Sequence, residues 1–361
     1  MKGRLEKYIV LIVCILASVQ GCIDPYEVEV PPGEKRLVVE GRITNDEGPY
    51  SVIITYSGNY SAQIDGISEF ISGATVCIYD DQDNCAELYE SSKGRYITNK
   101  WTFRGEIGRS YYLDIILPNG KHYQSKPERM LQASEIDRVY FEYNPGDDVN
   151  KQGFYVYMDA QDPADELNYY KWESISWWYY SFDPCWNRVP DFDAFNIMED
   201  KNINGNMIAR KLIKIVPYTG RTPYVVTVQQ MALSESAYKY LSNLNEQINL
   251  TGSIFDPPPT LIRGNLFNVE EPDELVLGYF YAGGFSTMEI AVDRTIPEES
   301  PRKTAPILQK PIYCGIPCDP MCAATGGICG EEPCPPACNN LPYITYQPPE
   351  SWPIKEAICD E

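Results

Sequence analysis

The chain has 361 residues, 43% hydrophobic and 12% aromatic, and a formal net charge of −21. So acidic a body repels nucleic acid and anionic lipid, which excludes both as partners of its surface. The length allows about two domains and the apolar fraction a real core, while 28 tyrosines, 29 prolines and 25 glycines favour strands and turns over helices.

Residues 1–21 read as a signal peptide. Lys2, Arg4 and Lys7 form a basic start, and Tyr8 to Val19 form an apolar core of 12 residues, shorter than the roughly 20 that a spanning helix needs. Val19-Gln20-Gly21-Cys22 resembles a bacterial lipobox: a branched apolar residue, a spacer, a small residue, then cysteine. The resemblance implies cleavage before Cys22 and acylation of its thiol and new amino group. The alternative is ordinary cleavage, with Cys22 left to pair. Acyl chains anchor because each buried methylene contributes about 0.8 kcal/mol, and stable attachment takes more than one chain. Loss of the leader removes three basic residues and one acidic one, so the mature charge is about −23. Of the 12 cysteines, Cys14 leaves with the leader and Cys22 takes the lipid, so ten remain, an even number as full pairing requires.

Residues 22–35 form a lipidated acidic linker whose "DPYEVEVPPGE" holds the body off the membrane. Asp24, Glu27 and Glu29 loosely resemble the acidic export tag of surface lipoproteins, and a merely solvated linker is the alternative. Residues 36–132 read as a β-sandwich of Ig-like or carboxypeptidase-regulatory-like kind. "RLVVEGRIT", "SVIITYS", "ATVCIYD", "CAELYE", "GRYIT", "SYYLDIIL" and "KHYQS" are short strands separated by turn signals. Leu37, Val39, Gly41 and Ile43 alternate on one face. Cys77 and Cys85 flank the polar turn "DQDN", where a cross-hairpin disulfide is geometrically reasonable.

Residues 133–313 read as a larger β-rich domain, with strands in "IDRVYFEYN", "GFYVYMDAQ", "YYKWESISWWYYSF", "TPYVVTVQQM", "LVLGYFYAGG" and "TMEIAVDR". One amphipathic helix, 234–249, interrupts them. Ser234 caps its start and Glu235 suits its first turn. Ala237, Leu241, Leu244 and Ile248 form one apolar face. The three prolines of "FDPPPTLIRGN" keep the next stretch extended. Residues 314–361 form a Cys- and Pro-rich tail.

In that tail Cys314, Cys318, Cys322, Cys329, Cys334 and Cys338 are closely spaced, with Cys359 beyond. Such density could bind zinc. In an oxidising compartment a core-poor segment is stapled by disulfides instead, and Cys185 is a further candidate to pair with it. The connectivity cannot be read from spacing. The chain has one histidine, His122, in a strand-like segment, and no serine-nucleophile elbow or P-loop. A glycosidase-like carboxylate pair leaves no spacing signature. Asp159, Asp162 and Asp165 lack the D-x-D-x-D-G spacing of a calcium loop and read as a solvated turn. The expectation is therefore no enzyme, no cofactor and no metal. The aromatic run is different. Alternation sends Trp177 and Tyr179 to one face of a strand, Trp178 and Tyr180 to the other. Trp186 belongs to the same run; one face is core, and the other is either ordinary surface or a recognition face that could stack on sugar or grip a protein.

Several stretches together resemble one family: "TGSIFDPPPTLIRGNLFNVEEPDELVLGYF" (Thr251 to Phe280), "LSESAYKYLSNLNEQ", "DPADELNYYKW" and "FNIMEDKNINGN". They are similar to the Bacteroidota outer-membrane lipoproteins grouped as domain of unknown function 4249. The resemblance runs from the lipobox to about Arg294, and the tail is richer in cysteine than the family pattern suggests. It implies a lipid-anchored protein of the outer membrane, on the cell surface or on the periplasmic face, that works beside a TonB-dependent receptor of the SusC type. It carries over no catalytic residue. The expected role is accessory or substrate-capture partner of such a transporter, with a glycan or peptide as ligand. The alternative is a stand-alone surface module that binds glycan or matrix.

Overall fold

The structure, a computed structural model, describes residues 35–57, 69–100, 103–146, 151–164, 166–179, 186–191, 195–220, 224–249, 261–297 and 344–345. The chain divides into two compact units, Met1–Lys35 with Gly58–Ser68 and Arg36–Ser57 with Glu69–Glu361, and every element named below belongs to the second. The protein is mainly β, with one helix among the described residues.

The early strands are β1 (Leu37–Thr44), β2 (Ser51–Tyr56), β3 (Glu69–Phe70), β4 (Thr75–Asp80), β5 (Cys85–Ser92), β6 (Arg95–Thr98), β7 (Ser110–Ile116), β8 (His122–Ser125) and β9 (Glu128–Arg129). Strict alternation makes most of them. In β7, Tyr111, Leu113 and Ile115 point inward while Tyr112 and Asp114 point out. Together with β17 (Leu266–Asn268) and β18 (Leu277–Gly283) they form one eleven-stranded sheet, whose main order is β17-β8-β7-β4-β5-β6-β2-β1-β18. The sheet wraps around its own core, so Val39, Ile54, Ile78, Leu113, Tyr123 and Phe280 pack in one cluster. Asn265 closes the seam by standing in for a strand. Its Nδ2 donates to the Phe280 carbonyl (2.6 Å) and its Oδ1 accepts the Phe280 N–H (2.9 Å). Thus the first sheet is not confined to residues 36–132. "LVLGYFYAGG" reads locally as a strand of the second domain, yet it pairs in parallel with β1 from Val38↔Leu277 to Thr44↔Gly283.

The rest of the chain makes two smaller sheets. One holds β10 (Ile136–Asn144), β11 (Gly153–Gln161) and β15 (Met207–Pro217). The other has the order β19-β16-β12-β13-β20, with β14 against β12. Its strands are β12 (Tyr169–Tyr179), β13 (Trp186–Asp191), β14 (Ile197–Glu199), β16 (Tyr224–Leu233), β19 (Phe285–Val292) and β20 (Ile344–Thr345). Phe154, Val156 and Met158 of the first face Trp172, Val226 and Val228 of the second across a shared core. Of the tail, only Ile344–Thr345 is described, paired with β13.

The helix α1 spans Glu235–Ile248. Ser234 caps it, accepting the Ala237 N–H at 3.1 Å. Ala237 and Leu241 pack on Tyr169, Leu233, Tyr279 and Phe285. Ile248, expected on the same buried face, is 65% exposed. Only the first half of the helix rests on the sheets, so the apolar stripe outruns its contact surface.

Candidate functional site

The first half of α1 lies over the rim of the curled sheet and leaves a cleft of about 310 Å³. Three other segments line it: the β8–β9 link and the start of β9 with Lys126 and Glu128, the approach to β17 with Arg263 and Asn265, and Tyr279 of β18. Gly264 lets that approach lie directly on β18, since a Cβ there would come 1.5 Å from the Gly278 carbonyl oxygen. Gly278 itself, at φ +88°, sits where a Cβ would meet the Val39 carbonyl at 2.0 Å.

Glu128, 4% exposed, lies in the wall of this cleft. Its Oε1 accepts from Tyr279 (2.5 Å), Ser236 (3.2 Å) and Asn265 (3.5 Å), and its Oε2 from Ser234 (2.5 Å). Four donors thus meet on this one buried carboxyl. Burial first, and then Glu128, push the Tyr279 phenol above its ordinary range. Tyr240 stacks obliquely on Tyr279 with ring centroids 4.9 Å apart. Burial first, and then the Glu40 charge, push its phenol up to about 12. Both phenols are therefore hydrogen-bond donors at neutral pH.

Three cations stand in the lining of a chain whose net charge is −21: Lys126, Lys239 and Arg263. Lys239 is held by Glu235 one turn back (2.5 Å). Arg263 donates to the carbonyls of Pro272 (3.4 Å) and Asp273 (3.2 Å), which orient its guanidinium. Lys126 is exposed. The cleft is a polar, cation-bearing recess at the small end of ligand sites, about 300–1,000 Å³. Lys126 and Arg263 offer it positive charge, while Lys239 is shared with Glu235.

The residues singled out from sequence lie elsewhere. Trp177 and Trp178 take opposite faces of β12. Trp178 stacks on Tyr224 (6.0 Å, 8°) against the shared core. Trp177, half-buried on the other face, packs on Val225 and donates its Nε1–H to Thr227 (2.8 Å). Tyr179 and Trp186 pair in register across β12 and β13. Cys77 and Cys85 form a disulfide across the β4–β5 hairpin. His122 bonds Asp114 on the neighbouring strand (2.7 Å). Cys22, Asp165, Tyr180, Cys185, Cys314, Cys318, Cys322, Cys329, Cys334, Cys338 and Cys359 lie outside the described residues.

None of the cleft's charged residues stood out as a candidate from sequence. A signal was nevertheless present, because "LSESAYKYLSNLNEQ" and the stretch Thr251 to Phe280 carry α1, Arg263, Asn265 and Tyr279. The described residues define a β-rich body, with a curled sheet joined to a two-sheet sandwich and one helix over the rim. The model of the family described as domain of unknown function DUF4249 matches residues 23–289, and the chain belongs to that family. No curated protein matches the sequence.

Proposed function

We propose that this chain is a non-enzymatic outer-membrane lipoprotein that captures a small polar ligand, of glycan or peptide class, for a TonB-dependent transporter of the SusC type. The observation that carries the reading is Val19-Gln20-Gly21-Cys22 directly after a short apolar core. The cation-bearing cleft beside α1 supports the capture role. Tethering by acyl chains at Cys22 turns capture into a local event at high effective concentration. A stand-alone surface module is the second reading, favoured by Trp177, whose half-buried ring lies on the face of β12 away from the shared core.

The test is extraction of native membranes in mild detergent, followed by affinity recovery of the chain and mass spectrometry. The reading expects a diacylated or triacylated Cys22 and a co-purifying β-barrel transporter. A Cys22→Ser variant should leave the membrane fraction. Repeated recovery of the chain alone, with its thiol unmodified, would overturn the proposal. Glycan binding without a barrel, lost in Trp177→Ala, would favour the second reading.

A further inference from the structure

A second pair of the family-like stretches, "DPADELNYYKW" and "FNIMEDKNINGN", meets at the far end of the shared core. Asp162, just past β11, and Asp200, just past β14, are both buried, Asp200 fully so. Asp162 is held by the Tyr170 hydroxyl on Oδ1 and by the Gly205 N–H on Oδ2 (2.8 Å). Asp200 Oδ2 accepts from the Asn168 N–H (2.9 Å) and side-chain amide (3.1 Å). Its Oδ1 is buried and has no hydrogen-bond partner. Two carboxylates that face each other out of water, one with an orphaned oxygen, are costly unless a positive charge joins them.

The local sequence names that charge. Residues 200–205 read Asp-Lys-Asn-Ile-Asn-Gly, which is the D-x-N-x-N-G opening of a calcium loop. In such loops the first, third and fifth residues offer side-chain oxygens, the sixth is a glycine at a sharp turn, and the seventh offers its carbonyl. Gly205 stands at the sixth place with φ +76°, as that turn demands. The seventh residue, Asn206, accepts the Asp162 N–H at 3.2 Å, which ties the end of β11 to the loop. The usual glutamate at the twelfth place is missing. Lys211 stands there, its ammonium 4.3 Å from the Trp172 ring. Asp162, 38 residues upstream, supplies a second carboxylate from another strand. Asp159 is not available for this, because Arg138, Tyr140 and the Arg210 N–H occupy it. Among the described residues no three His, Cys, Asp or Glu side chains converge. Two carboxylates with amide and main-chain oxygens suit a hard cation that accepts carbonyl ligands.

We propose that Asp162 and Asp200, with Asn202, Asn204 and the carbonyl of Asn206, form a calcium site that pins the β11–β12 connection to the β14–β15 connection. Calcium takes six to eight oxygens, so water completes the shell. Magnesium holds its water too tightly and demands a stricter octahedron. With two carboxylates the affinity belongs to the weak extracellular class, with Kd of about 10⁻⁴–10⁻³ M.

The test is calorimetric titration of the full chain in detergent, freed of divalent ions by chelation, with calcium chloride and separately with magnesium chloride. One calcium per chain is expected, with a melting temperature that rises with calcium and a much weaker magnesium response. Asp200→Asn keeps an oxygen for Asn168 and removes one of the opposed charges. It should melt no lower than the calcium-free wild type and lose the calcium response. Asn202 is exposed, so Asn202→Ala should melt like the calcium-free wild type and bind at least several-fold more weakly. Absence of binding at millimolar calcium would overturn the site, and so would binding that both variants retain. Stability that rises on mild acidification and ignores calcium would instead show a proton shared by the two carboxyls.

Discussion

Glu173 on β12 is the sharpest place to test the physical reasoning. Its Oε1 accepts from Lys171 and its Oε2 from Arg42 of β1, each at 2.6 Å. Lys171 and Glu173 are 4% and 6% exposed, and the trio joins the curled sheet to the sandwich. Burial alone would raise the Glu173 carboxyl, but the Arg42 and Lys171 charges outweigh it and hold it at about 2, against an ordinary 4.5. At about 1.4 kcal/mol per pH unit, that displacement corresponds to about 3 kcal/mol of stability. Glu173→Gln removes it and strands the Lys171 ammonium out of water, while Arg42, one-third exposed, can turn to solvent. Breaking a buried pair in this way costs about 3–5 kcal/mol. The sign follows from the depressed value. The contribution is complete above about pH 4.5 and disappears as pH falls toward 2. Urea unfolding of wild type and variant should therefore show a gap of about 3 kcal/mol or more at pH 7 that narrows steadily below pH 4.5. The double change Lys171→Met with Glu173→Leu should recover most of the loss, since an apolar replacement of a buried pair is often neutral. A Glu173→Gln variant within about 1 kcal/mol of wild type, or a gap that stays constant down to about pH 2.5, would refute the reasoning.

Asn265→Ala removes both bonds to the Phe280 backbone and orphans a buried N–H and C=O. Thermal unfolding should report a loss of about 2–4 kcal/mol, with hydrogen exchange rising first in β17 and β18. Trp172→Phe keeps an aromatic ring but loses the Nε1–H bond to Gln230 (2.9 Å). It should cost about 1–3 kcal/mol in urea unfolding. Replacing Cys77 and Cys85 together with alanine opens a loop of only 8 residues' separation. The loss should stay at or below about 2.5 kcal/mol, and the chain should still fold. Ser234→Ala removes the α1 cap and one donor to Glu128, for about 1–2 kcal/mol, read as lost helical circular dichroism on mild heating.

Local periodicity made most strands legible. It tells which residues of a segment face inward, as in β7, but not which strand lies beside it. That is why β18 was assignable as a strand and not as a neighbour of β1, some 240 residues earlier in the chain. The helix was legible at its start because the Ser234 cap acts locally. How far its apolar face is covered depends on the sheets beneath it, and Ile248 shows the limit. The cleft was opaque for the same reason. Glu128 sits in the charged segment "KPERM" and becomes a buried acceptor only when Ser234, Asn265 and Tyr279 arrive from other elements. Asp162 alone reads as part of a turn, and its partnership with Asp200 exists only once β11 and β14 end at the same place.

The charges on β12 carry a further consequence. Tyr170, Trp172 and Trp178 face the shared core, while Lys171 and Glu173 face the curled sheet. Because strand side chains alternate, a slip of one residue against β16 would exchange those faces. Lys171 and Glu173 would then enter the core beside Val226 and Val228 without Arg42, and Trp172 would meet the polar seam. Either displacement costs several kcal/mol for an unpaired buried charge. A strand apolar on both faces would lose little by slipping. The ionic trio therefore acts on register more than on net stability. The double variant that combines Lys171→Met with Glu173→Leu separates the two roles, since it should keep its melting temperature but lose the uniform hydrogen-exchange protection of β12 and β16.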